Sequence, residues 1–134
     1  MSRLSAFLHP ATDGTEKEVY VSDRFKDEKG NSVSVKIRAL TQEDSEKMRR
    51  ASTHRSVKNG QPVDEFDPAE YIHRLLLKAV IVPDLSSEEA CKACGVLDPL
   101  MVPGKLFLAG EYTKLMTEIN RISGFGAVED EAKN

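Results

Sequence analysis

Two cysteines, Cys91 and Cys94, have the spacing of a redox pair or of half a zinc site. A structural zinc ion needs a tetrahedral set of ligands, and the three histidines of the chain form no second paired motif. A redox pair is typical of a position beside a βαβ unit, and the pattern predicts none. Because positions three apart are neighbours on a helix face, we interpret both thiols as packing residues and expect no metal and no cofactor.

No other combination of side chains predicts catalysis. His9, His54 and His73 are scattered, and their spacing suggests no cluster with a serine and an acid. None of the carboxylates lies in an otherwise apolar segment, where a raised pKa would suit acid-base chemistry. The glycines form neither a phosphate-binding loop nor a dinucleotide fingerprint. We therefore expect that the protein is not an enzyme.

The distribution of charged residues along the chain is more informative than the candidate catalytic residues. A basic stretch is followed soon after by an acidic one. The basic residues are Lys47, Arg49, Arg50, Arg55 and Lys58, and the acidic residues are Asp64, Glu65, Asp67 and Glu70. Such stretches form either solvated surface or a docking surface for a protein partner. Nucleic acid is a poorer partner, since the net charge is −3 and no aromatic residues accompany the cations.

Length and composition describe one globular domain. The chain has 134 residues, of which 40% are hydrophobic and 31% charged. The longest apolar segment, 75–82, is far shorter than a membrane-spanning helix and contains Lys78. The first eight residues lack the apolar stretch of a secretory signal. We expect a soluble protein of the cytoplasm that does not bind membranes.

The first part of the chain predicts a short helical turn at 2–8 and then a β-hairpin. Apolar and polar residues alternate over 33–38, which is the period of a strand with one buried face. The apolar positions within 19–25 predict its partner strand, and 27–31 is polar turn material. A hairpin of two strands is marginal alone, so we expect it to pack on helices or to join another sheet.

Helix start signals dominate the rest of the chain. Thr41 and Asp44 predict a helix that continues through about Ser56, and 57–66 has the composition of a polar loop. Asp67-Pro68 begins the best core helix. The apolar stripe of this helix consists of Ile72, Leu75, Leu76, Ala79 and Val80.

Further helices follow in the last third. Ser86 with Glu89 predicts a short helix that ends at Gly95. The last helix has an amphipathic stripe at Tyr112, Leu115, Met116, Ile119 and Ile122. We predict a single α+β domain at 1–126, in which an N-terminal β-hairpin packs on a mainly α-helical body, and a flexible, disordered acidic tail at 127–134.

Several short motifs occur in an order that is informative as a whole. They are Leu-Ser-Ala-Phe-Leu at 4–8, Ala-Val-Ile-Val-Pro-Asp-Leu at 79–85, Cys-Gly-Val at 94–96, Leu-Ala-Gly-Glu-Tyr at 108–112 and Ser-Gly-Phe at 123–125. Over residues 4–125 this order resembles the XkdN-like tail assembly chaperones of phages and phage-derived elements. The chain has Ala109 where the family motif has proline, and Ser123 where it has asparagine.

The resemblance implies a chaperone that binds the tape measure protein, the long helical chain that sets tail length. It keeps this client soluble until tail tube proteins, a second expected partner, polymerise around it. Binding amphipathic helices requires apolar grooves with charged rims. The expected contact residues are Arg49, Arg50 and Arg55 for charge, with Tyr112 and Phe125 as aromatic anchors. Core packing is the alternative for both aromatic residues.

Two other functions remain open at this point. The first is a structural tail completion or connector protein that is retained in the virion. The second is a small regulator that binds DNA through the basic stretch. In addition, an exposed edge of the predicted hairpin offers a route to a homo-oligomer.

Overall fold

Helices and strands alternate along the chain in the computed structural model, which describes residues 3–11 and 14–125. The helices are α1 (Arg3–Leu8), α2 (Gln42–Ala51), α3 (Pro68–Ala79), α4 (Glu88–Cys94), α5 (Val102–Leu106) and α6 (Ala109–Ile122), with a 3-10 turn at Pro99–Met101. The strands are β1 (Glu16–Val19), β2 (Val35–Arg38), β3 (Thr53–Lys58), β4 (Gln61–Phe66) and β5 (Val80–Val82). This confirms the predicted α+β class. The acidic tail predicted at 127–134 lies outside the described residues.

The predicted N-terminal hairpin forms two strands of a three-stranded sheet, but its first strand is Glu16–Val19, whereas the sequence placed it within 19–25. β1 and β2 pair antiparallel, with Val19 opposite Val35. Val19, Val35 and Ile37 are buried, whereas the neighbouring strand residues Glu18 and Lys36 are more exposed. This follows because successive side chains of a strand point to opposite faces. Val80, predicted to continue a helix, instead begins β5, which pairs with the other edge of β2. Helix α6 lies against β1 and β2, and α3 contacts β5.

A second hairpin, β3 with β4, occupies the place of a predicted helix end and polar loop. α2 ends at Ala51, so the predicted helix through Ser56 is too long, and the loop predicted at 57–66 is wrong. The turn residues Asn59 and Gly60 have φ angles of 53° and 75°. Positive φ at both positions is what a two-residue type I′ hairpin turn requires. The turn therefore sets the local structure despite the polar flanking residues.

Local capping signals place the helix starts. The Thr41 hydroxyl accepts from the Asp44 N–H at 3.1 Å, and the Asp44 carboxylate accepts from the Thr41 N–H at 3.0 Å. This is the predicted capping box of α2. The Asp67 carboxylate accepts from the Glu70 N–H at 3.1 Å, which confirms the start of α3. α4 is capped by Ser87, one residue later than predicted.

Helices α3 and α6 pack together and each buries one row of side chains in the common core. Leu76, Leu115 and Ile119 are fully buried and join the apolar face of the sheet. Tyr112 and Met116, which the sequence places on the same stripe, pack only partly against this core. The two helices therefore carry a second apolar row that remains accessible to solvent.

The start of α6 is held by a buried carboxylate. Glu111 is only 5% exposed. Its oxygens accept from Arg24 Nη2 and Nε at 2.6 and 2.9 Å, from the Ser22 hydroxyl and from the Leu108 N–H at 2.8 Å. The pKa of Glu111 is lowered from 4.5 to about 2, and the hydrogen bonds from Arg24 are the main cause. This network fixes α6 against the segment that connects β1 and β2.

We expect Glu111→Gln to lower stability at neutral pH, because the amide loses the charge-assisted bonds from Arg24. The pKa of Glu111 is lower in the folded chain than its ordinary 4.5, so this stabilisation is present above pH 4.5 and is lost as the pH falls towards about 2. Urea denaturation at several pH values measures the difference between the two chains, which should shrink below pH 4.5. A difference that persists unchanged to pH 2 contradicts this origin. Glu89→Gln, at an exposed position, is the control.

Candidate functional site

An open groove lies between α3 and α6. α3 supplies Tyr71 and Leu75, which lie one helical turn apart on one face. Two adjoining hollows, of about 270 and 410 Å³, share these two residues and Asn120 in their walls and are described together as one groove. We name it the α3–α6 groove. Its lining residues are Leu40, Thr41, Gln42, Ser45, Met48, Tyr71, Ile72, Leu75, Tyr112, Thr113, Met116, Thr117, Asn120, Ser123 and Phe125.

The α3–α6 groove carries no formal charge. None of the described residues that line it is Asp, Glu, Lys or Arg, although these residues make up 31% of the chain. Besides the Tyr112 hydroxyl, its polar groups on α6 are the hydroxyls of Thr113 and Thr117 and the amide of Asn120. Such groups are less costly to desolvate than a charge. The groove is therefore suited to an apolar, uncharged surface that displaces water.

Tyr112 and Phe125, the two predicted aromatic anchors, both line this groove, one in each hollow. Phe125 is 64% exposed. Tyr112 is half-buried, its hydroxyl lies 3.0 Å from His73 Nδ1, and burial raises the pKa of its phenol. The hydroxyl of Tyr71 is likewise held, 2.7 Å from that of Ser45. These bonds fix the two tyrosine rings in the groove wall.

Arg49 contacts the groove wall through an aromatic cluster. Its guanidinium lies 4.9 Å from the ring centre of Phe66 and 5.6 Å from that of Tyr71. The two rings meet edge to face at 5.6 Å. Because Tyr71 lines the groove, Arg49 places a positive charge close behind one of its walls. Arg50 is exposed on α2.

Arg55, the third predicted charge contact, lies on the β3–β4 hairpin and does not line the groove. It is directly opposite Asp64, and its Nε lies 3.6 Å from the carboxylate. On the same hairpin, Lys58 pairs with Glu65 at 2.6 Å. The basic and acidic stretches of the sequence thus meet each other across the two strands. As contacts to a partner, the arginines remain predictions.

The cysteines belong to the core. Cys91 is buried as a member of the core cluster, and Cys94, on the same helix α4, packs against this cluster. Both are free thiols. Within residues 3–11 and 14–125, no group of three or more His, Cys, Asp or Glu side chains is arranged to hold a metal ion. No helix in these ranges is long and apolar enough to cross a membrane.

The groove was not predicted from the sequence, although part of its lining was named. Ile72 and Leu75 were predicted to lie in the core stripe of α3, but Ile72 is 40% exposed and Leu75 only partly buried. The available signal was the width of the apolar face of α3, which exceeds what the core covers. The threonines of α6 gave no signal, because their role depends on the packing of α3 beside them.

Both sequence and fold match known proteins over most of the chain. Residues 4–134 match the sequence model of the family described as phage XkdN-like tail assembly chaperone protein. The chain is 30% identical over 138 residues to the phage-like element PBSX protein XkdN of Bacillus subtilis (strain 168), covering 98% of this chain and 93% of XkdN. It is also 30% identical, with the same coverage, to YqbN of that strain. The crystal structure of the protein YqbN aligns with a TM-score of 0.69 at 25% identity, covering 82% of this chain and 85% of that one.

Proposed function

Because the chain belongs to the XkdN-like family of phage tail assembly chaperones, we propose that it binds the tape measure protein and keeps that protein soluble during tail assembly. The observation that supports this proposal is the α3–α6 groove. Its described lining is mostly apolar, contains no charged residue and includes Tyr112 and Phe125. A long helical client exposes amphipathic helices that aggregate unless their apolar faces are covered. A groove between two helices is a common receptor for such a helix.

The proposed complex places one amphipathic helix of the client along the groove. Its apolar face contacts Leu75, Met116 and the two aromatic anchors, and the threonine hydroxyls accept or donate hydrogen bonds at the edges. Arg49 and Arg50 attract acidic residues of the client, and Arg55 adds a charge on the hairpin. We place this binding in one domain, 1–126, in the host cytoplasm. The tail tube protein is a second proposed partner, because it replaces the chaperone around the client.

Co-expression tests this function. The client is the long, helix-rich protein encoded just downstream, if the locus has one, produced with and without this chain. We expect the client to be soluble and to co-purify only when the chain is present. If the client is equally soluble without the chain and the two do not co-purify, the proposal is contradicted. Mass spectrometry of purified particles adds a second criterion, since a chaperone is absent from finished tails and a structural component is retained.

The aromatic anchors should differ in their effects. Phe125→Ala is expected to reduce client retention without changing the melting temperature, because Phe125 is exposed. Tyr112→Ala should lower both, because the ring also packs against the core. Tyr112→Phe keeps the ring and removes only the bond to His73, so it should preserve retention. Pull-down and thermal denaturation of each variant measure the two effects, and full retention by Phe125→Ala contradicts its role as an anchor.

A further inference from the structure

Helix α1 presents an apolar face that the rest of the described chain leaves in solvent. Leu4, Phe7 and Leu8 lie on one side of the helix because they are three and four positions apart. They are 65%, 76% and 64% exposed, and no residue of α1 is buried. Isolated helices shorter than about 12 residues are marginal in water. A helix of six residues therefore needs a surface on which to pack.

The α3–α6 groove has the properties that such a surface requires. The described lining of the groove is uncharged, and the one charged residue of α1 is Arg3, at its first position. A helix of six residues is about 9 Å long, and the groove wall from Tyr112 to Asn120 spans roughly 12 Å along α6. The length and the chemistry of α1 therefore match the groove.

The segment that carries α1 enters the fold beside one end of this groove. The Ala39 N–H donates to the Thr15 carbonyl at 2.7 Å. The next residue, Leu40, lines the groove, and its N–H donates to the Ser123 hydroxyl at 3.0 Å. Residues 9–15 connect α1 to β1 and can extend over roughly 25 Å. In the described structure no residue of α1 lines the groove of its own chain, and none is buried. The groove is therefore open to the α1 helix of another copy.

We propose that α1 docks in the α3–α6 groove of a second copy, so that two copies exchange their N-terminal helices. The exchange is closed by two-fold symmetry, because each copy gives one helix and receives one. Each contact removes Leu4, Phe7 and Leu8 from water. A client helix competes for the same groove and separates the two copies. This competition, unlike the exchange itself, rests on the proposed function.

Sedimentation of the full chain over a concentration series tests the exchange in the absence of any client. We expect the wild-type chain to dimerise and Phe7→Asp to weaken the dimer by roughly tenfold or more, since a carboxylate enters an uncharged groove. Leu97→Asp places the same carboxylate at an exposed apolar position outside α1 and the groove and should dimerise like the wild type. A monomer at all concentrations, or a dimer that Phe7→Asp leaves unchanged, overturns the proposal.

Cross-linking identifies which groove is occupied. Leu8→Cys and Thr113→Cys are made as separate chains in a Cys94→Ala background, mixed, and treated with a bis-maleimide. A heterodimeric product that exceeds the products of either chain alone supports exchange. If instead one chain carrying both cysteines links only to itself, α1 occupies its own groove and the proposal is wrong. Client retention by Phe7→Asp is a separate readout. The variant should still retain the client, because its groove is unchanged; a loss of retention contradicts the competition, whereas the dimer decides the exchange.

Discussion

Replacing Thr113 with Glu is expected to abolish retention of the proposed client, the tape measure protein, without unfolding the chain. Thr113 is exposed on α6 and lines the groove, so the new carboxylate stays hydrated in the free chain. No Lys or Arg lies three or four positions from Thr113 on α6, so the helix itself supplies no ion-pair partner. A client helix that closes the groove would remove this water, and the described lining offers no cation as a partner. Burial of an unpaired charge costs several kcal/mol, so we expect an affinity loss of roughly a hundredfold or more.

Pull-down of the co-expressed client and thermal denaturation of the variant alone measure the two parts of this prediction. Ala109→Glu is the matched control, because it adds the same carboxylate to an exposed position of α6 outside the groove. A carboxylate is tolerated at the N-terminus of a helix, so this variant should fold and retain the client. Equal retention by both variants would show that the client binds elsewhere on the chain.

The fold was predictable where short-range chemistry determines it. The capping box at Thr41 and Asp44 and the cap at Asp67 involve residues within one turn of each other. Alternation over 33–38 likewise identified a strand without any knowledge of its partners. Such signals indicate where an element begins and which face is buried. They do not indicate which element will cover that face.

The β3–β4 hairpin was missed for a different reason. Asn59-Gly60 is a strong hairpin signal, but the flanking strands carry polar and charged residues on both faces. Strand prediction relies on a buried apolar face, which these two strands lack. The turn and the antiparallel backbone pairing hold these strands together, and exposed ion pairs such as Arg55 with Asp64 add little. In the sequence these two charges belong to separate stretches of opposite sign.

The candidate site required the tertiary structure. Tyr112 and Phe125 could be selected by residue type, whereas Ile72 and Leu75 were predicted to lie in the core. The groove exists because α3 and α6 pack with their apolar faces offset, so that the core covers only part of each face. The position of this offset depends on contacts between residues far apart in the chain. The absence of charge along the groove became visible only when the separate segments were brought together.

Replacing Leu115 with Ala is expected to cause a large loss of stability. Leu115 is fully buried on α6, in the core cluster that includes residues of the sheet and of α3. Truncation removes buried methyl groups and leaves a cavity, which costs about 2–5 kcal/mol. Domains are stable by only about 5–15 kcal/mol, so the melting temperature should fall by roughly 10 °C or more. Urea denaturation and calorimetry measure both quantities.

Leu97→Ala is the matched control for this prediction, since Leu97 is 101% exposed and its truncation opens no cavity. A similar small change in both variants would contradict the assignment of Leu115 to the core. The comparison also separates folding from binding on α6. Leu115→Ala should reduce client retention only as far as it unfolds the chain, so retention should recover on cooling. Thr113→Glu acts on the exposed row of the same helix, and its loss of retention should persist at temperatures where the chain is fully folded.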